Sequence, residues 1–150
     1  MEFLKQLGQN TPLMCAGLSW LVAQIIKTCL HLLINRKLDA GRLVGMGGFP
    51  SSHTAFVMSL CLMVGLQDGV ASTQFAIAFG LAAVVIYDAM GVRRETGKQG
   101  ALLNRIVREV LIEGKPIAEE EENLKELVGH TPFEVFGGVV LSVIMVLIMA

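Results

Sequence analysis

Charge is confined to a few stretches of this chain, and that segregation limits its folds more than any motif does. Of the 25 charged residues, 17 lie from Asp88 to Glu134, and the other 103 positions hold 8. Windows free of Asp, Glu, Lys and Arg cover residues 6–26, 43–67, 69–87 and 135–150. A helix crossing the hydrocarbon of a bilayer takes about 20 apolar residues, within a range of about 17–25. Three windows reach that length, and the fourth is slightly short. Hydrophobic residues make up 53% of the 150 positions, more apolar surface than a soluble domain of this size can bury. The charged share is 17%, against about 25% in soluble domains, and this excludes a disordered polar chain. Twelve basic residues against 13 acidic ones leave no excess for nucleic acid. The sequence predicts one integral membrane domain over residues 1–150, all-α, a bundle of about four transmembrane spans.

The first span runs from about Leu13 to Ile34 and carries a single charge, Lys27. The second starts after Pro50 and reaches about Leu66, the third runs from about Gly69 to Tyr87, and the fourth follows Pro132 to Ala150. The second is short, so it is tilted, dipped or sunk in protein. In the polar stretch 88–134, Leu102, Leu103, Ile106, Val107, Val110 and Leu111 recur at helical spacing, with Arg105, Arg108 and Glu109 facing away. This predicts an amphipathic helix on the membrane surface or over the bundle. Glu119 to Glu122 read as a solvated turn or helix start. Met1–Met14 lacks a small-residue cleavage site and reads as the lead into a retained span. Cys15, Cys29 and Cys61 lie in apolar stretches without CxxC spacing, so they read as buried free thiols, and no metal site is expected.

If the second and third spans both cross, the loop at 35–53 and the segment at 88–134 share one side. Both are the basic loops: Arg36, Lys37 and Arg42 in one, and Arg93, Arg94, Lys98, Arg105, Arg108, Lys115 and Lys125 in the other. Lys/Arg excess marks the cytoplasmic side. A multi-pass protein of the cell membrane is expected, its polar loops cytoplasmic and both termini outside.

Two of the three histidines stand where chemistry is possible. His53 follows Pro50-Ser51-Ser52 and opens the second span, and His130 opens the fourth. Thr131-Pro132-Phe133-Glu134 has the form of a capping box, with Pro at the first helical position. Ser51 and Ser52 are good N-cap residues. Helix N-termini offer unpaired N–H groups and partial positive charge, which favour anions. Gly47 and Gly48 are expected to let the backbone approach closely. Two imidazoles, free amides and the pair Arg93-Arg94 suit a phosphate: one His attacks phosphorus, the other protonates the leaving alcohol, and guanidinium groups balance charge. The plainer reading makes each His an interfacial residue and Glu134 only a cap. His31, inside the first span, reads as packing.

These residues carry a resemblance. Gly47-Gly48-Phe49-Pro50-Ser51-Ser52-His53 resembles the second signature of type 2 phosphatidic acid phosphatases, usually PSGH. His130-Thr131-Pro132-Phe133-Glu134-Val135-Phe136-Gly137-Gly138 resembles the end of the third. With Tyr87-Asp88-Ala89-Met90-Gly91-Val92-Arg93-Arg94 and Leu124-Lys125-Glu126-Leu127-Val128-Gly129, the chain is most similar to the divergent branch of that superfamily, whose wider circle includes acid phosphatases and vanadium-dependent haloperoxidases. The resemblance covers residues 20–140. It implies His130 as the nucleophile that becomes phospho-histidine, Glu134 as the carboxylate orienting its ring, and His53 as the general acid. It implies Ser51 and Ser52 as ligands of the phosphoryl oxygens, and neither metal nor cofactor. The basic groups depart from the pattern. Lys27 and Arg36 stand in for the first-signature Lys and Arg at unusual spacing, without a following Pro. No Ser-Arg precedes His130, so Arg93 or Arg94 takes that place, with Asp88 either holding one of them or standing as a plain helix-end charge.

The function so implied is hydrolysis of a membrane lipid or prenyl phosphate without metal. A catalytically inactive membrane scaffold or binder of anionic lipid is the alternative. A small transporter subunit rests only on Lys27 and His31, one helical turn apart.

Overall fold

The computed structural model describes residues 2–36, 48–91, 99–100, 103 and 130–150. The expected surface helix near 101–113, apart from residue 103, and the run Glu119–Glu122 lie outside the described residues. Among those described there are five helices: α1 (Glu2–Gln9), α2 (Thr11–Asn35), α3 (Ser52–Asp68), α4 (Thr73–Met90) and α5 (Pro132–Met149).

The helix starts are written in the sequence. Asn10 caps α2, its Oδ1 accepting from Leu13 N–H at 3.1 Å, with Pro12 in the first turn. Ser72 caps α4, its Oγ accepting from Phe75 N–H at 3.1 Å. Thr131 and Glu134 form the full capping box at the start of α5. Each cap satisfies donors that the first helical turn leaves without partners. The helix α1 was not expected; its signal is the cap-and-proline pair Asn10 and Pro12, which separates it from α2.

Three helices are long and apolar enough to cross a membrane: Thr11–Ile34, Thr73–Met90 and Pro132–Met149. The expected second span is α3, with 17 residues, or about 26 Å of helix against a hydrocarbon layer of about 30 Å. It lies at the centre, with α2, α4 and α5 packed around it, so its short length is taken up by protein and not by lipid. Ala23, Ala55 and Leu141 join α2, α3 and α5 in one layer. Cys15, Met63 and Val146 join them in a second. Val57 and Cys61 pack on Ala78 and Ala82 of α4.

The bundle is apolar outside and partly polar inside. Leu33, Ile77, Leu147 and Ile148 are each more than two-thirds exposed. Ser19, Gln24, Lys27, Thr54, Ser59 and Ser142 are buried. Ser59 Oγ donates to Ser19 Oγ at 2.6 Å and Ser19 Oγ donates to Cys15 O at 2.7 Å. In hydrocarbon such bonds fix which helix faces meet, because apolar side chains gain nothing by leaving lipid. The thiols of Cys15 and Cys61 are buried, but Cys29 is exposed. The expectation of three buried thiols fails there because Cys29 lies on the outer face of α2, and lipid accepts a thiol as readily as a core does.

Candidate active site

The starts of α3 and α5, the last turn of α4 and the Lys27 turn of α2 converge at one end of the bundle. Backbone bonds tie them: Ser51 N–H donates to Glu134 O at 2.9 Å, and His130 N–H donates to Ala89 O at 2.9 Å. The first joins the starts of α3 and α5; the second joins α5 to the last turn of α4. The starts of α3 and α5 and the end of α4 therefore lie at one end of the bundle; most of the loops 35–53 and 88–134 lies outside the described residues.

Two glycines permit the approach. A Cβ on Gly138 would stand 2.6 Å from Ser51 O and 2.8 Å from Thr54 Cβ, and one on Gly137 would enter the Phe49 ring. These residues were not singled out for this role by sequence reasoning. Gly48 was expected to let the backbone approach an anion closely. Its φ is +85°, with open space where a Cβ would stand, so glycine is needed there for backbone conformation. Gly47 lies outside the described residues.

The two histidines meet. The rings of His53 and His130 are 5.9 Å apart between centroids, at 57°. His130 is buried at 3% exposure, and its Nδ1 is 3.3 Å from Glu134 Oε2. The same oxygen accepts from Thr131 N–H at 2.7 Å, while Thr131 Oγ1 accepts from Glu134 N–H at 3.3 Å. Glu134 is thus both a helix cap and the neighbour of the imidazole, so the two readings of it coexist. The shorter bond is the cap. The contact to His130, at 3.3 Å, is longer than the 2.7–2.9 Å usual for a charge-assisted bond. Nδ1 is the ring nitrogen turned to the carboxylate.

Lys27 is the cation that the described residues bring to this end. Its side chain is buried and its ammonium donates to Ser52 Oγ at 3.1 Å. Ser51 is fully buried, and its Oγ accepts from Thr54 N–H at 3.3 Å and Thr54 Oγ1 at 2.9 Å. Its hydroxyl and its N–H therefore hold α3 to itself and to α5. Arg36 is at the C-cap of α2 with φ 52° and is exposed. It stands nine residues beyond Lys27, about 13 Å along the helix axis, away from the Lys27–Ser52 pair. Asp88 is in the last turn of α4, next to the Ala89 carbonyl that holds His130. Arg93 and Arg94 lie outside the described residues. Among the described residues no group of His, Cys, Asp and Glu has the makings of a metal site. Phe49 stacks on Phe133 at 4.9 Å between centroids and covers the α3–α5 joint, a contact visible in the sequence only as two aromatics beside two prolines.

A family model described as the divergent PAP2 family matches residues 8–145. The chain belongs to that family. The match takes in both histidines, Lys27, Glu134 and the charged segment between α4 and α5. A relative from Bacillus subtilis (strain 168), called uncharacterized membrane protein YuiD, is 37% identical over 153 residues, covering 97% of each chain. No solved structure matches. The family resemblance drawn from the PSSH and GHTP motifs is therefore correct, and the chain is a PAP2-related membrane protein.

Proposed function

We propose that this protein is a lipid phosphate phosphatase working through a phospho-histidine, with neither metal nor cofactor. The observation that carries the reading is the pairing of His53 and His130 across 5.9 Å, the latter's ring backed by Glu134. Attack on phosphorus needs an approach of about 3–3.5 Å, and proton donation to a leaving oxygen needs about 2.6–3.2 Å. Two tilted rings this close can both reach one phosphoryl group held against their edges.

His130 Nε2 attacks phosphorus and the bond from phosphorus to the lipid oxygen breaks. His53, protonated at the outset, gives its proton to that oxygen, and the alcohol leaves. Neutral His53 then takes a proton from water, whose oxygen attacks phosphorus and breaks the P–N bond. Phosphate departs and His130 is restored. Glu134 keeps Nδ1 protonated and steadies the charge on the ring. Lys27, Ser52 and either Arg93 or Arg94 offset the phosphoryl charge, and Asp88 holds the arginine by a forked pair. Ser51 supports the site by fastening α3 to α5. Arg36 takes part only at the outer rim. The substrate is a phospholipid or prenyl monophosphate, reached from the cytoplasmic side of the cell membrane.

The test uses the full chain in detergent with phosphatidate or a prenyl phosphate. His130→Ala is expected to abolish phosphate release while membrane insertion persists, and orthovanadate is expected to inhibit with EDTA present. Unchanged turnover in His130→Ala removes the nucleophile assignment. Lipid phosphate binding without turnover in the unaltered protein replaces the enzyme by a binder of anionic lipid.

A further inference from the structure

A cavity of about 320 Å³ is lined by Trp20 of α2, His53, Phe56 and Val57 of α3, and Val85 of α4. Its existence follows from the packing. Both α2 and α4 pack on α3, yet among the described residues they do not pack on one another. A trough floored by α3 is left between them, and its walls are two spans long and apolar enough for hydrocarbon. Four of its five lining side chains are apolar, and the fifth is the proposed proton donor.

We propose that this trough holds one hydrocarbon chain of the substrate, the chain borne by the oxygen that His53 protonates; the inference rests on the phosphatase reading. The geometry joins the two ends of such a molecule. The phosphoryl group lies between His53 and His130, and the trough leaves from the His53 side, where the leaving oxygen is. A chain bonded to that oxygen enters the trough without crossing the polar cluster around Lys27 and Ser52. The volume is at the lower limit of the 300–1,000 Å³ usual for ligand pockets, so it takes one chain and not two side by side. Ligand entry is lateral, from the lipid. In a bilayer, water is not the competing occupant, so the trough selects by shape and by connection to the headgroup.

Trp20 is the single tryptophan of the chain and reports on the trough directly. The full-length protein is placed in phosphatidylcholine vesicles with a monoalkyl phosphate dibrominated along its chain. Strong saturable quenching of Trp20 at a few mole per cent is expected, with far weaker quenching by dibrominated phosphatidylcholine at the same fraction. Equal quenching by both lipids overturns the proposal, because it reports only the surrounding bilayer. Turnover supplies the second arm. In Val85→Phe, which fills the trough, the ratio of kcat/KM for a long-chain phosphate to that for a chain-free aryl phosphate falls by about tenfold or more. In Ile77→Phe, on the outward face of the same helix at 68% exposure, the ratio is unchanged. An unaltered ratio in Val85→Phe also overturns the proposal. Selective quenching without any turnover keeps the trough and removes the phosphatase; turnover without selective quenching does the reverse.

Discussion

Gly138→Ala tests whether the α3–α5 approach sets the spacing of the histidines. The new Cβ would lie 2.6 Å from Ser51 O and 3.2 Å from Ala55 N. These are backbone atoms of a capped helix start, so they cannot swing aside as the Phe49 ring can at Gly137. Ordinary contact begins near 3.4 Å, so α5 must draw back by about 0.8 Å, the gap between 2.6 Å and 3.4 Å. That movement pulls on the 2.9 Å bond from Ser51 to Glu134 O and widens the 5.9 Å between the rings. A misplacement near 1 Å costs about 10²-fold in rate. The stability change is smaller: overpacking costs about 1–3 kcal/mol, and alanine returns about 1 kcal/mol of helix propensity. Turnover of a lipid phosphate is therefore expected to fall about 10²-fold while the protein stays folded and monodisperse in detergent. Gly80→Ala is the control, since nothing stands within 4 Å of its Cβ position. A folded Gly138→Ala protein with full turnover refutes the claim that this contact sets the catalytic geometry.

Glu134→Gln keeps an acceptor for Thr131 N–H but loses the charge beside His130, so kcat falls about 10²-fold or more with little change in thermal stability, whereas Glu134→Ala also loses about 1 kcal/mol of capping. Lys27→Met removes a charged donor to Ser52, a bond worth about 1.5–3 kcal/mol; orthovanadate affinity measured by inhibition is expected to fall at least tenfold, and unchanged affinity places the ammonium outside the phosphate site. A double-mutant cycle on Ser19→Ala and Ser59→Ala is expected to give a coupling of about 0.6 kcal/mol in thermal unfolding, with turnover unaffected; zero coupling removes the hydroxyl pair as a register lock. For orientation, single cysteines at Val70 and Arg36 in a cysteine-free background are treated with an impermeant maleimide on intact cells. Labelling of Val70→Cys alone supports the cytoplasmic site, and labelling of Arg36→Cys alone reverses it.

The spans were legible because hydrocarbon imposes a length and a lack of charge, and both survive in the sequence whatever packs on what. The helix starts were legible because capping is local: Ser51, Thr131 and Glu134 act within three residues of themselves. The histidine pair was legible through its repeated setting at two helix starts and through the PSSH and GHTP motifs. What failed was the assignment of faces. Spans that are apolar all round carry little sign of which side meets lipid, so the exposure of Cys29 and the central position of α3 were not readable. The close approach at Gly137 and Gly138 was not singled out, because a glycine inside a helix does not show what faces it until the neighbouring backbone is known. The trough at Trp20 depends on two helices not meeting, and one sequence does not record a missing contact.

The polar groups of the site are also the fasteners of the bundle, and this explains how so small a membrane chain can afford them. A buried ammonium or imidazole is costly in hydrocarbon unless it has partners. Lys27 donates to Ser52, Glu134 caps α5 and faces His130, and the His130 backbone N–H is held by Ala89 O of α4. Lys27–Ser52 joins α2 to α3, Ser51 N–H to Glu134 O joins α3 to α5, and His130 N–H to Ala89 O joins α5 to α4, all at the end where a phosphate is proposed to bind. The same sharing makes the site hard to alter piecemeal: a change at Glu134 touches a cap and an imidazole together, and its effects on turnover and on assembly separate only through isosteric variants such as Glu134→Gln.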